Sequence, residues 1–150
     1  MKAAGKRVKF VLDASVTLSW AFADESNPVA ARARQILESP EGAAVVPILW
    51  WYEVRNILIV SERRSRITAD GTSLFLAQLA QINITTAPVP SNDSLLDLAR
   101  QNRLSVYDAA YLAIATELKL PIATLDRALV TAAALMNIPL LSEIDPIPVA

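Results

Sequence analysis

Residues 105–126 read SVYDAAYLAIATELKLPIATLD, and this stretch decides the fold. Val106 to about Leu118 is predicted helical, Ile122–Leu125 a strand, and Arg127–Met136 the helix that follows. From Asp108 the helix descends to Leu118, about 15 Å at 1.5 Å per residue. The strand after it climbs back about 17 Å at 3.3 Å per residue. The two lengths nearly cancel, so Asp108 and Asp126 return to one level. Both are carboxylates in otherwise apolar sequence.

The same alternation extends through the chain. Val8–Leu12 reads as a short buried strand ending at Asp13, followed by a helix from Ser15 to about Phe22. Asp24–Pro28 is a loop, with Ser26 or Asn27 as an N-cap and Pro28 at the first helical position. The next helix turns Ala30, Ala33, Ile36 and Leu37 inward. Ser39–Gly42 is a turn and Ala43–Val46 a second strand. Pro47 opens a long helix to about Glu62, and Thr68 caps another to about Gln81. Ile84–Val89 is a further strand, Ser91 caps a helix to Gln101, and Pro139–Leu141 is a last short strand. Strands alternating with helices imply a parallel sheet covered on both faces. Such sheets place ligand sites beyond the carboxyl ends of their strands.

Asp13, Glu53, Asp108 and Asp126 sit in the apolar segments FVLDASV, LWWYEVRNIL, SVYDAAYLAIA and IATLDRALV. An unpaired buried carboxylate is costly, so it is neutralised, paired or bound to a cation. Too few Lys or Arg share such settings to pair all four. Asp13 ends the first strand and Asp126 follows Ile122–Leu125, so both stand at one sheet edge. Glu53 lies in the second turn of a helix starting just past Val46, within about 9 Å of that edge by helix rise. Its neighbours Leu49, Trp50, Asn56 and Ile57 form a mostly apolar, inward stripe. Each acid also has a structural reading. Asp13 and Asp126 suit helix caps, Asp108 suits the dipole of a helix N-terminus, and Glu53 suits an ion pair with an Arg. Four such coincidences at one edge are far less economical than one divalent metal site. Ser15 and Thr124, each two residues from a proposed ligand, are placed to orient a carboxylate; helix capping and strand propensity account for them equally well. Trp20, Trp50, Trp51 and Tyr111 read as core.

Composition narrows the chemistry. A chain of 150 residues with 53 % apolar content is expected to form one domain, 1–150, with a sizeable core. There is no His and no Cys, which removes Ser-His-Asp triads, HExxH zinc sites, thiolate metal sites and disulfides. A metal site must therefore use oxygen ligands, which favour Mg²⁺ or Mn²⁺. Net charge is −1, so no global basic field draws nucleic acid, and local patches would have to do so. Arg63, Arg64 and Arg66 form one candidate patch; Lys2, Lys6, Arg7 and Lys9 form another. The N-terminus has the outline of a signal peptide, with basic MKAAGKRVK, an apolar stretch and Ala21-Phe22-Ala23. Asp13 in the middle of that stretch argues against it. No run approaches the roughly 18 apolar residues of a membrane span, so a soluble cytoplasmic protein is expected.

The segments VLDASVTLSW, PILWWYEVRNIL, LARQNRLSVYDAAYLAIATELKLPIATLDRAL and LMNIPLL together resemble PIN-domain ribonucleases. The resemblance is strongest to the VapC-type toxins of bacterial toxin–antitoxin pairs. It covers nearly the whole chain in the family's order. It implies a three-layer α/β/α domain with a central, mainly parallel, short-stranded sheet. It implies an acidic site at Asp13, Glu53, Asp108 and Asp126, supported by Ser15 and Thr124. It further implies a Mg²⁺- or Mn²⁺-dependent endoribonuclease that leaves 3′-hydroxyl and 5′-phosphate ends, commonly a homodimer, silenced by a cognate VapB-type antitoxin. Two other readings are weaker. A haloacid-dehalogenase-like phosphatase usually carries an acid two positions after the first Asp, where Ser15 stands, and a late acidic pair that is missing. A catalytically inactive PIN-fold module binding RNA or protein would not need all four acids.

Overall fold

The computed structural model describes residues 8–143. Four strands form one sheet: β1 (Val8–Leu12), β2 (Gly42–Val46), β3 (Ile84–Thr86) and β4 (Ile122–Ala123). Their order is β3-β2-β1-β4 and every pairing is parallel. Seven α-helices flank the sheet among the described residues, in the three-layer arrangement expected. They are α1 (Ala14–Ser19), α2 (Pro28–Glu38), α3 (Ile48–Arg63), α4 (Ala69–Leu79), α5 (Asn92–Asn102), α6 (Val106–Leu118) and α7 (Arg127–Leu135). Among the described residues no helix is long and apolar enough to cross a membrane.

The sheet core follows from residue type. Phe10, Val11 and Leu12 of β1, and Ala44, Val45 and Val46 of β2, are buried without alternation, as strands covered on both faces require. Trp50, Tyr111, Leu58 and Leu112 bring large, fully buried helical side chains into the same cluster. Asn27 caps α2 by accepting from the Val29 N–H at 2.8 Å, and Pro28 follows it at the first helical position. Thr68, Ser91 and Ser105 cap α4, α5 and α6 in the same way.

Several elements differ from their sequence-based bounds, and four of these differences have a visible cause. α1 stops at Ser19 rather than Phe22, because the Trp20 indole donates to the Ala30 carbonyl at 2.8 Å and the chain turns toward α2. β3 stops at Thr86 because its partner β2 ends at Val46, and Pro88 and Pro90 beyond it have no N–H to offer. β4 is two residues long, since the N–H groups of Leu125 and Asp126 turn to the hydroxyls of Ser15 and Thr124 instead of a ladder. The expected last strand is a single bridge between Ile122 and Leu140, followed by a 3₁₀ turn at Leu141–Glu143.

Gly42 shows how tightly the layers meet. A Cβ added there would lie 1.8 Å from the Ile36 carbonyl oxygen, a backbone atom at the end of α2. Gly42→Ala is therefore expected to lower stability by about 3 kcal/mol, the upper part of the overpacking range. Urea denaturation checks it; an unchanged midpoint would show that the turn yields freely.

Candidate active site

β1 lies between β2 and β4, so the order in which strands are added to the sheet reverses beside it. This is the switch point at which open α/β sheets form a crevice. The register pairs Leu12 with Ala123, which puts Asp13 and Thr124 side by side just beyond the strand ends. The Asp13 N–H donates to the Ala123 carbonyl at 3.0 Å and locks that alignment. Asp126, two residues on, opens α7. Asp108 stands in the first turn of α6, and Glu53 in the second turn of α3. All four acids thus belong to elements that begin or end at one edge of the sheet.

Asp13 is 6 % exposed, the most buried of the four. It occupies the N-cap position of α1, yet its side chain makes no capping bond. Its Oδ2 instead accepts from the Ser15 hydroxyl at 2.7 Å and the Thr124 hydroxyl at 2.8 Å. Each hydroxyl has its own donor behind it. Ser15 Oγ accepts from the Leu125 N–H at 3.0 Å, and Thr124 Oγ1 from the Asp126 N–H at 3.0 Å. Those backbone donors leave each hydroxyl proton directed at Asp13. Both supporting residues therefore act on one carboxylate oxygen.

The remaining acids are held differently. Glu53 Oε1 accepts from the buried Tyr111 hydroxyl at 2.6 Å. Asp126 Oδ1 accepts from the Leu129 N–H at 3.1 Å, so its capping reading is correct for that oxygen. The Asp108 N–H donates to Ser105 Oγ at 3.1 Å, which fixes the start of α6 beneath its side chain. Tyr111 is the participant that sequence reasoning assigned to core alone. It is fully buried core, but a buried phenol needs a partner for its hydroxyl. Its position three residues after Asp108, on the same helical face, was the available signal.

The electrostatics couple the four. Burial raises the Asp13 pKa above 3.8; the Ser15 and Thr124 hydroxyls oppose this, and the Asp126 charge adds to it. Burial raises Glu53 above 4.5, against the Tyr111 hydrogen bond and with help from the Asp13 and Asp108 charges. Burial also raises Asp108, followed by repulsion from Asp126. Tyr111 is pushed far upward by burial and then by the Asp13 charge, so it remains a neutral donor. Among the described residues no ion pair reaches any of the four acids. The cluster is thus a set of mutually repelling carboxylates without a counter-cation from the described chain. Among the described residues no three acidic groups converge on one cation as they stand. Mg²⁺ keeps several of its waters and takes only one or two carboxylates directly, so this oxygen-only donor set fits a hard, partly hydrated divalent ion.

The expected patch of Arg63, Arg64 and Arg66 does not adjoin this edge as a group. Arg66 pairs with Asp24 at 3.2 Å and lies 4.2 Å from the Phe22 ring centroid. Arg63 and Arg64 are exposed at the far end of α3, about 15 Å along the axis from Glu53. Lys2, Lys6 and Arg7 lie outside the described residues.

The known proteins that this chain is similar to agree with the fold. No curated protein sequence matches it. The crystal structure of PAE2754 from Pyrobaculum aerophilum superposes with a TM-score of 0.64 at 25% identity, covering 83% of this chain and 84% of that one. Mycobacterium tuberculosis VapC20, described as a Sarcin-Ricin loop cleaving toxin, superposes with a TM-score of 0.56 at 13% identity, covering 82% and 94%. At that identity the second likeness speaks for the fold alone. The PIN domain family model matches residues 10–135, from the strand before Asp13 to the end of the helix after Asp126. With most of its length so matched, the chain belongs to the PIN domain family, whose members are in general nucleases.

Proposed function

We propose that this protein is a Mg²⁺- or Mn²⁺-dependent endoribonuclease, the toxin of a toxin–antitoxin pair. The observation that carries the reading is the acidic edge. Asp13, Glu53, Asp108 and Asp126 repel one another, lack a cationic partner among the described residues, and sit at the switch point of a parallel sheet. When bound there, a divalent ion supplies activation of water and neutralisation of charge at the phosphate. The chain's own residues supply position. Ser15 and Thr124 fix Asp13 in one orientation, and Tyr111 fixes one oxygen of Glu53. Asp126 is held by its cap to α7, and the start of α6 carries Asp108. Without His, acid–base attack by a 2′-hydroxyl has no usual partner, so 3′-hydroxyl and 5′-phosphate ends are the expected products.

The VapC-like architecture supports a VapB-type antitoxin as the silencing partner. A Lys or Arg of that partner, directed at the acids, would pair with them and compete with the metal. Exposed Ile48, Tyr52 and Tyr107, near the starts of α3 and α6, suit a second copy of the chain. Sequencing of RNA 5′ ends after induced expression tests the reading directly. New 5′-phosphate ends that appear with the wild type and vanish with Asp108→Asn support it. An RNA population identical in both sinks it.

Tyr111→Phe offers a finer test. It keeps the ring in its buried slot and removes only the hydroxyl that holds Glu53. Cleavage is expected to fall about tenfold in kcat with little change in KM, the mark of weakened positioning rather than weakened binding. The acidic limb of the pH profile should move upward, because that hydrogen bond lowers the Glu53 pKa. An unmoved limb with full kcat would reduce Tyr111 to core.

A further inference from the structure

A groove of about 490 Å³ runs between the C-terminal end of α5 and one face of α7. Asn102, Arg103 and Leu104 line one wall; Arg127, Thr131 and Leu135 line the other. The α7 residues recur every four positions, so they form one stripe about 12 Å long. The groove adjoins the acidic edge at both walls. Arg127 directly follows Asp126, and Leu104 directly precedes Ser105, the cap of the helix that carries Asp108. Arg103 ends α5 in a left-handed backbone conformation, φ 53°, which a side chain rarely adopts and which sets where its guanidinium starts.

Both arginines are exposed, and among the described residues neither has an ion-pair partner. The nearby Asp97 is engaged by Arg100 at 3.2 Å. Two uncommitted guanidinium groups thus flank the chain segments that carry Asp126 and Asp108. The carboxylates alone would repel a polyanion, and the chain's net charge of −1 gives no compensating long-range field. An anionic polymer that reaches the acids needs fixed cations beside them. Guanidinium forks match phosphate oxygens bidentately. Thr131 adds a hydroxyl for phosphate or ribose, and Leu135, 75 % exposed, adds an apolar surface for a base.

We propose that this groove is a backbone track for single-stranded RNA on one side of the acidic cluster, with Arg103 and Arg127 each pairing with a phosphodiester. The inference rests on the nuclease reading of that cluster and names the residues that hold its substrate. It also replaces the Arg63, Arg64 and Arg66 patch as the RNA-binding surface.

The test is fluorescence anisotropy with a labelled ten-nucleotide single-stranded RNA in chelator, so that binding is read apart from cleavage. Arg103→Gln and Arg127→Gln are each expected to weaken binding about fivefold, and the double variant about twentyfold. The slope of log K against log salt should become shallower by about 0.7 for each arginine–phosphate pair removed. Arg63→Gln with Arg64→Gln should change affinity less than about twofold. Arg103→Gly, which relieves the left-handed conformation, must weaken RNA binding while raising thermal stability; this separates removal of the guanidinium from misfolding. A double variant with wild-type affinity and slope overturns the track, as does one that cleaves RNA in Mg²⁺ with unchanged KM. Wild type that binds RNA through both arginines yet never cleaves it with Mg²⁺ or Mn²⁺ leaves the track standing and removes the nuclease reading instead.

Discussion

Asp13→Asn is expected to reduce RNA cleavage at least about a thousandfold, while the metal-free protein becomes more stable at neutral pH. The first half follows from position. Asp13 is the most buried acid and takes two hydroxyl hydrogen bonds on one oxygen. Its other oxygen is therefore held in a single direction. Removing a charge that acts on the reacting phosphate through a bound ion costs about 4 kcal/mol of barrier, or roughly a thousandfold in rate. The second half follows from burial and repulsion. The Asp13 pKa is raised by desolvation first and by Asp126 further on, so its charge is unfavourable in the folded chain. An amide oxygen can still accept from Ser15 and Thr124, which keeps the local geometry. Two measurements check this: cleavage of a labelled RNA, and thermal melting in chelator at pH 8. Wild-type cleavage would remove Asp13 from the site. Abolished cleavage with a lowered melting temperature would mean the carboxylate is structural.

The fold was legible in the sequence where hydrophobic pattern and chain length agree. The near-equal path lengths from Asp108 to Leu118 and back are the clearest case. They require α6 and β4 to return to one level, and the parallel register of β4 with β1 realises it. What was not legible arises from interactions distant in sequence. β4 looked like Ile122–Leu125, because nothing local reveals that the next two N–H groups belong to Ser15 and Thr124. α1 looked two to three residues longer, because the Trp20 indole bond to Ala30 is a tertiary event. The meeting of the four acids at one sheet edge was legible because a carboxylate in an apolar run contradicts its surroundings. Tyr111 was not, because a tyrosine in an apolar helix contradicts nothing. Its role depends on Glu53, 58 residues away in sequence. Arg103 and Arg127 carry no such signal for a related reason. They lie on different elements, and only the fold brings the end of α5 and one face of α7 to one groove.

Metal removal is expected to stop RNA cleavage completely, with Mg²⁺ or Mn²⁺ restoring it and Zn²⁺ doing so poorly. Carboxylate oxygens, with no His or Cys in the chain, favour hard ions over zinc. The same carboxylates predict how stability responds to pH. Asp13, Glu53 and Asp108 all have folded pKa values raised above 3.8, 4.5 and 3.8. The folded chain thus binds their protons more tightly than the unfolded chain does. The stability this contributes is fully present below those ordinary values and is lost as pH rises through the raised ones. Metal-free protein should therefore melt higher at pH 5 than at pH 8. A divalent ion reverses the balance, because it binds the ionised cluster and so stabilises the folded state most where the acids are charged. Added Mg²⁺ should raise the melting temperature more at pH 8 than at pH 5, and Asp13→Asn with Asp108→Asn should abolish the difference. Equal shifts at both pH values, or shifts that survive the double substitution, would place the ion elsewhere. Undiminished cleavage in chelator would exclude a metal from the reaction.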